Sequence, residues 1–174
     1  MLPEYTFTAV EADHTIRATF ERDTLVVAAS AEPNGMIDPA GGVVVDRGVK
    51  LSFTITPRDH FHVRDVTVDG ASVGAVTGYT FSDVAANHTV HASFAADMYT
   101  VSARGGVGGS VKPAGTWLVG YGDSQAFQII PDDGYRVADV LVDGVSVGAR
   151  TKYSFAGVDA NHTIVATFVP DVGR

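Results

Sequence analysis

Apolar and polar residues alternate along several short stretches of this chain. Near its end, Ile164, Ala166 and Phe168 fall on one side, and Thr163, Val165 and Thr167 on the other. Val90, Ala92 and Phe94 repeat the pattern, as do Ile16, Ala18 and Phe20. Phe127 and Ile129 match Phe53 and Ile55, and Tyr99, Val101 and Ala103 match Leu25, Val27 and Ala29. Tyr79 shares a face with Phe81, and Tyr153 with Phe155. A period of two sends successive side chains to opposite faces of a sheet, so each set predicts a half-buried strand. No stretch carries a helical stripe of useful length; at most one helical turn is expected near Ala85-Ala86-Asn87.

Turn chemistry separates the strands. Asp69-Gly70 and Asp143-Gly144 each lie between two Val-rich runs, and Asp-Gly supplies the positive φ angles of a tight hairpin. Asn34-Gly35 reads as another turn. The apolar parity shifts between Val63 and Val66, and again between Val137 and Val140. A one-residue slip would turn the following side chains outward, so a bulge or short break is predicted at both places.

The same positions recur at a fixed interval. Segments beginning at Tyr5, Tyr79 and Tyr153 read YTFTAVEADHTIRATF, YTFSDVAANHTVHASF and YSFAGVDANHTIVATF. Upstream, Gly35, Pro39, Gly48 and Pro57 match Gly109, Pro113, Gly122 and Pro131, and roughly thirty of seventy residues agree without a gap. Such self-similarity marks an array of modules. The expected division is residues 1–23 as the last part of an incomplete module, 24–97 as a full module, and 98–174 as a full module with a short extension. Six or seven short strands are expected per module. The segments joining modules, Glu21–Thr24 and Ala95–Met98, are short enough to predict a stiff string. Residues 5–20 are expected to dock on the following module or, failing that, to pair with another chain.

Composition narrows the function. The chain has 45% hydrophobic and 18% charged residues, ordinary for a globular protein. A net charge of -8 disfavours nucleic acid and anionic lipid as partners. Without cysteine there can be no disulfide and no thiolate-ligated metal. No apolar run approaches the roughly 20 residues of a membrane span. The first residues, Met-Leu-Pro-Glu-Tyr, do not read as a signal peptide.

The ordered Gly, Pro, Asp-Gly, Asn-His-Thr and Phe positions resemble the divergent internalin-type B-repeat, or bacterial repeat domain. The resemblance is carried by YGDSQAFQIIPDDGYRVADVLVDGVSVG, from Tyr121 to Gly148, followed by YSFAGVDANHTIVATF. It extends to the other module and to the partial one. The second copy departs most at Arg58-Asp59-His60-Phe61, where the third has Asp132-Asp133-Gly134-Tyr135. The resemblance implies a place in a long bacterial surface or secreted protein, often as a stalk beside adhesive or carbohydrate-active domains. It carries no catalytic motif. It implies a β-grasp-like fold as the alternative, whereas the strand pattern favours an Ig-like sandwich; either way the fold class is all-β, in tandem small antiparallel modules.

Candidate chemistry is sparse. His14, His88 and His162 share one module position and are read as side chains that hydrogen-bond a corner. His60 and His62 could share a strand face, with His91 near them, but three His side chains for zinc or nickel recur nowhere else in the repeat. Asp65, Asp69, Asp139 and Asp143 lack any calcium-loop spacing and are given strand-end and turn roles. Arg104–Gly109 lacks the Lys-Ser/Thr ending of a phosphate loop. Trp117 alternates with Val119 and is expected to pack in the core or at an interface. Were the modules to bind a glycan, Trp117 and Tyr121 would be the exposed candidates. The chain is therefore expected to be non-catalytic and free of cofactor and metal, a spacer at the cell surface or outside the cell. Its expected partners are neighbouring modules. An adhesion module for glycan or host protein, or a self-associating filament subunit, stands as the alternative.

Overall fold

The computed structural model describes residues 4–173. It is all-β, with no helix among the described residues and hence none long and apolar enough to cross a membrane. Strands begin at Thr24 and fall into two sets of eight.

The first set is β1 (Thr24–Ala31), β2 (Gly35–Asp38), β3 (Gly41–Asp46), β4 (Leu51–Pro57), β5 (Phe61–Val68), β6 (Ala71–Gly74), β7 (Gly78–Phe81) and β8 (His88–Ala96). The second is β9 (Met98–Gly105), β10 (Gly109–Lys112), β11 (Gly115–Gly120), β12 (Gln125–Pro131), β13 (Tyr135–Val142), β14 (Val145–Ser146), β15 (Lys152–Phe155) and β16 (His162–Pro170). Each set makes a five-stranded sheet, in order β3-β1-β8-β5-β6 or β11-β9-β16-β13-β14. Each also makes a three-stranded sheet, in order β2-β4-β7 or β10-β12-β15. The topology repeats strand for strand.

Alternation puts one face of each sheet inward. Val27, Val66 and Val90 from the larger sheet and Ile37, Phe53, Ile55 and Phe81 from the smaller one share one core. Val101, Val140, Ile164, Phe168, Val111, Phe127, Ile129 and Phe155 form the equivalent core of the second unit. A two-layer sandwich results. The bulges lie where the parity shift placed them, between Val63 and Asp65 and between Val137 and Asp139. They keep Val63 and Val66, and Val137 and Val140, on the buried face. Asp69 and Gly70 have φ of 51° and 80°, and Asp143 and Gly144 of 49° and 79°, both in the left-handed region of a type I′ hairpin.

The aromatic ends of β8 and β16 rest on backbone. A Cβ built on Gly35 would lie 2.1 Å from the Phe94 ring, and one on Gly109 would lie 2.4 Å from the Phe168 ring. Glycine is needed there for close approach rather than for its φ.

Four expectations are corrected. There are eight strands per unit, because the edge pieces β2, β6, β10 and β14 are too short to show an alternation. Ala85-Ala86-Asn87 forms no helical turn; Val84 anchors an irregular connection by exchanging backbone bonds with Val49 and Gly48. The sheets are not wholly antiparallel, since β1 and β8 run parallel, as do β9 and β16. Residues 4–23 form no strand, and residues 5–20 do not dock: Ile16 is 67% and Phe20 92% exposed. The copies of this segment, β8 and β16, are the middle strands of their sheets. A middle strand derives its stability from a neighbour on each side, and residues 14–22 have neither.

Candidate functional site

Two constructions recur or stand out: a polar clasp within each unit and a joint between them.

The clasp assembles the Asp-Gly hairpin and the Asn-His-Thr segment. Asp69 Oδ2 accepts from His88 Nδ1 at 2.6 Å, and Asp69 Oδ1 accepts the Thr89 backbone N–H at 2.8 Å. Asp143, His162 and Thr163 repeat this at 2.7 Å for both bonds. The imidazoles stack on the Phe at the end of the preceding strand, His88 on Phe81 and His162 on Phe155. Asn87 and Asn161 each accept a backbone N–H from the first strand, of Val26 and Thr100, at 2.8 Å. The hydrogen bond from His88, joined by that of the Thr89 N–H, holds the Asp69 carboxyl below its usual range. For Asp143, desolvation pushes upward, but the bonds from His162 and Thr163 outweigh it and the carboxyl is again lowered. These groups tie strand ends together. His14 stacks on Phe7 in the same local arrangement, without a hairpin to hold.

The joint is built around Asp97, the single residue between β8 and β9. Its N–H donates to the His60 carbonyl at 2.8 Å, its carbonyl accepts from Tyr121 N–H at 2.9 Å, and its carboxylate meets His62 Nδ1 at 2.9 Å. His60 then crosses to the second unit. Its ring lies parallel to Tyr121, with centroids 4.2 Å apart and planes within 5°, and its Nδ1 is 2.7 Å from the Tyr99 hydroxyl. Phe61 also meets Tyr121, edge-on. Lost solvation, then Asp97, Asp159 and Tyr121, push the Tyr99 hydroxyl above its ordinary pKa. His60 achieves this contact at φ 65°, where the second unit has Gly134 at 76°. A non-glycine residue in this region is costly by about 1 kcal/mol, so the backbone is strained where the stack forms.

The remaining candidates are dispersed. His91 bonds Ser30 and lies near Glu32, so His60, His62 and His91 each have separate partners. Among the described residues no group of three metal-ligating side chains is close enough to hold an ion. Asp65 and Asp139 accept from Ser72 and Ser146 beside the short edge strands. Arg104–Gly109 spans the end of β9, a three-residue connection and the start of β10. Trp117 is not in the core: it stands on edge strand β11, 44% exposed, with its Nε1–H on the Ala114 carbonyl. An edge strand has no neighbour to cover it, which sequence alternation alone cannot reveal. Tyr121 is not a free stacking surface, because His60 occupies its face. The joint itself escaped sequence reading. Its signal was the departure of His60-Phe61 from Gly134-Tyr135.

The fold and these contacts define a tandem pair of non-identical copies of one small β-sandwich. Residues 99–172 match the family model described as the divergent InlB B-repeat domain, and the second unit belongs to that family. The first unit repeats its strand order and register. No curated protein and no solved structure matches the chain.

Proposed function

We propose that the chain is a non-catalytic spacer of a bacterial surface or secreted protein, its units arranged end to end. The observation that carries this reading is the parallel pairing of the first and last strands of each unit. Val27 to Ala31 run beside His88 to Ala92 in the same direction. The chain therefore comes into a unit at one end and leaves at the other. Counting along this register from Thr24 to Ala96, at ~3.3 Å per residue, each unit advances the chain by roughly 35 Å.

A one-residue linker would transmit that direction poorly if the units could swivel. Asp97 is instead held through both backbone groups and its carboxylate, and the His60–Tyr121 stack adds a side-chain contact. Aspartate recurs at the equivalent positions Asp23 and Asp171. Asp23 accepts from Arg47, and Asp171 N–H donates to Gly134 O at 2.7 Å, as Asp97 does to His60. The backbone part of the joint is thus common to the repeat, and the aromatic part is particular to this junction. The family of the second unit supports the bacterial setting.

Small-angle X-ray scattering tests the arrangement. Two units in line should give a maximum dimension of at least about 70 Å with a rod-like cross-section. A globular profile from units folded side by side would refute it.

A further inference from the structure

We propose that the second unit binds a carboxylate-bearing saccharide in a groove that its sheet edge leaves open. This groove lies in the second unit and does not depend on the spacer role.

β11 pairs with β9 only as far as Gly115 opposite Ala103, whereas β9 continues to Gly105. A groove of about 740 Å³ lies at this fork, between β9, β16 and the segment joining β10 to β11. That volume is within the usual range of small-molecule sites. Its walls are unusually open, because Gly105, Gly109, Ala114 and Gly115 contribute little side chain.

Register brings polar groups into a row across it. Thr116 on β11 is opposite Ser102 on β9, and Ser102 is opposite Thr163 on β16. Three hydroxyls thus stand on three adjacent strands, and that of Thr163 donates to Asp143 Oδ1 at 3.5 Å and keeps its lone pairs to accept from a ligand. Ser102 and Thr116 share one hydrogen bond at 2.9 Å, which leaves acceptor lone pairs and one hydroxyl proton for a ligand. Two residues along β9 stands Arg104, beside Val165. Arg104 is exposed and has no ion-pair partner among the described residues, although the chain carries a net charge of -8. A guanidinium binds a carboxylate through two parallel hydrogen bonds. The nearby carboxylate of Asp143 is already taken up by His162 and Thr163.

The first unit supplies an internal contrast. At the same repeat positions it has Ala28, Gly42 and Ser30 in place of Ser102, Thr116 and Arg104. Ser30 is bonded to His91, and Glu32 is close by. Two of three hydroxyls and the guanidinium are therefore missing on an otherwise equivalent fold. The set belongs to the second unit and is not demanded by the sandwich.

The test is an NMR titration of the whole chain with oligogalacturonate, its methyl ester, and hyaluronate. Saturable shifts at residues 102–105, 114–116 and 163–165 are expected with at least one of the two acidic oligosaccharides. Affinity for the methyl ester should be at least tenfold below that for a bound oligogalacturonate. Arg104→Ser and the pair Ser102→Ala/Thr116→Gly, which install the first unit's residues, should each weaken binding at least tenfold while the spectrum stays dispersed. Arg136→Ala, which removes another exposed arginine, should leave binding unchanged. Absence of saturable shifts with both acidic oligosaccharides would overturn the proposal. So would equal binding of the methyl ester, or equal loss in Arg136→Ala and Arg104→Ser, which would mean diffuse attraction of charge.

Discussion

Replacing Phe168 by alanine should unfold the second unit selectively. Phe168 is 9% exposed, lies two residues before the end of the middle strand of the larger sheet, and rests against Gly109. Truncating a buried Phe costs about 3–5 kcal/mol, the higher values where the site cannot collapse. Here the ring's floor is glycine backbone, which has no side chain to move into the space, so a cost of about 4 kcal/mol is expected. A unit of this size has a total stability of roughly 4–11 kcal/mol. With a urea slope of about 1 kcal/mol per molar, the midpoint should fall by about 4 M, or the unit should be unfolded without urea. The chain contains one tryptophan, Trp117, and it lies in the second unit. Its fluorescence therefore reports that unit, while far-UV circular dichroism reports both. Phe168→Ala should move the fluorescence transition and leave about half of the dichroism signal in place. Phe94→Ala, the matching change in the first unit, should do the reverse. A fluorescence midpoint within 0.5 M (about 0.5 kcal/mol at that slope) of the parent in Phe168→Ala would refute the packing argument. An equal shift from Phe94→Ala would show that the two cores do not unfold separately.

Gly109→Ala should destabilise the second unit by about 3 kcal/mol, since the new Cβ meets both the Phe168 ring and the Ile130 carbonyl, and the same fluorescence assay would show it. The lowered carboxyls of Asp69 and Asp143 fix the sign of the acid dependence. Their contribution is present above the unfolded Asp value, near 3.9, and is lost as pH falls through the lower folded values. Stability measured by urea titration should therefore decline below about pH 4, and less steeply in the double variant Asp69→Asn/Asp143→Asn. His60→Gly should relieve about 1 kcal/mol of left-handed backbone strain while removing the stack on Tyr121. The first unit should keep its stability to within about 1 kcal/mol in dichroism, and a loss larger than 3 kcal/mol would show that His60 serves its own unit instead.

Much of the fold was legible because its determinants are local. Alternation located the long strands, Asp-Gly the hairpins, and the parity break at Val63 and Val137 the bulges. The corner role of His88 and His162 was legible from neighbouring residues that cap turns. What escaped is non-local. No residue near Val27 says that it will run parallel to His88–Ala92, and that pairing decides where the chain leaves the unit. Trp117 and Val119 alternate as core residues do, but only strand order shows that β11 is an edge. Residues 14–20 carry the same pattern as β8 and β16, which illustrates that a pattern gives a face and not the partners to cover it. The joint and the groove share this character. Each depends on residues that differ between the repeats, so the self-comparison that revealed the modules also hid them.

The most direct test of the end-to-end arrangement is a distance between equivalent points of the two units. Ser52 and Ala126 are exposed, occupy matching positions on β4 and β12, and lie in a chain with no cysteine. Spin labels on Ser52→Cys/Ala126→Cys should give a narrow electron–electron distance distribution centred no shorter than about 35 Å, the advance per unit. His60→Ala in the same background should broaden it. A parent distribution already broad, or centred well below that distance, would contradict a stiff joint between units placed end to end.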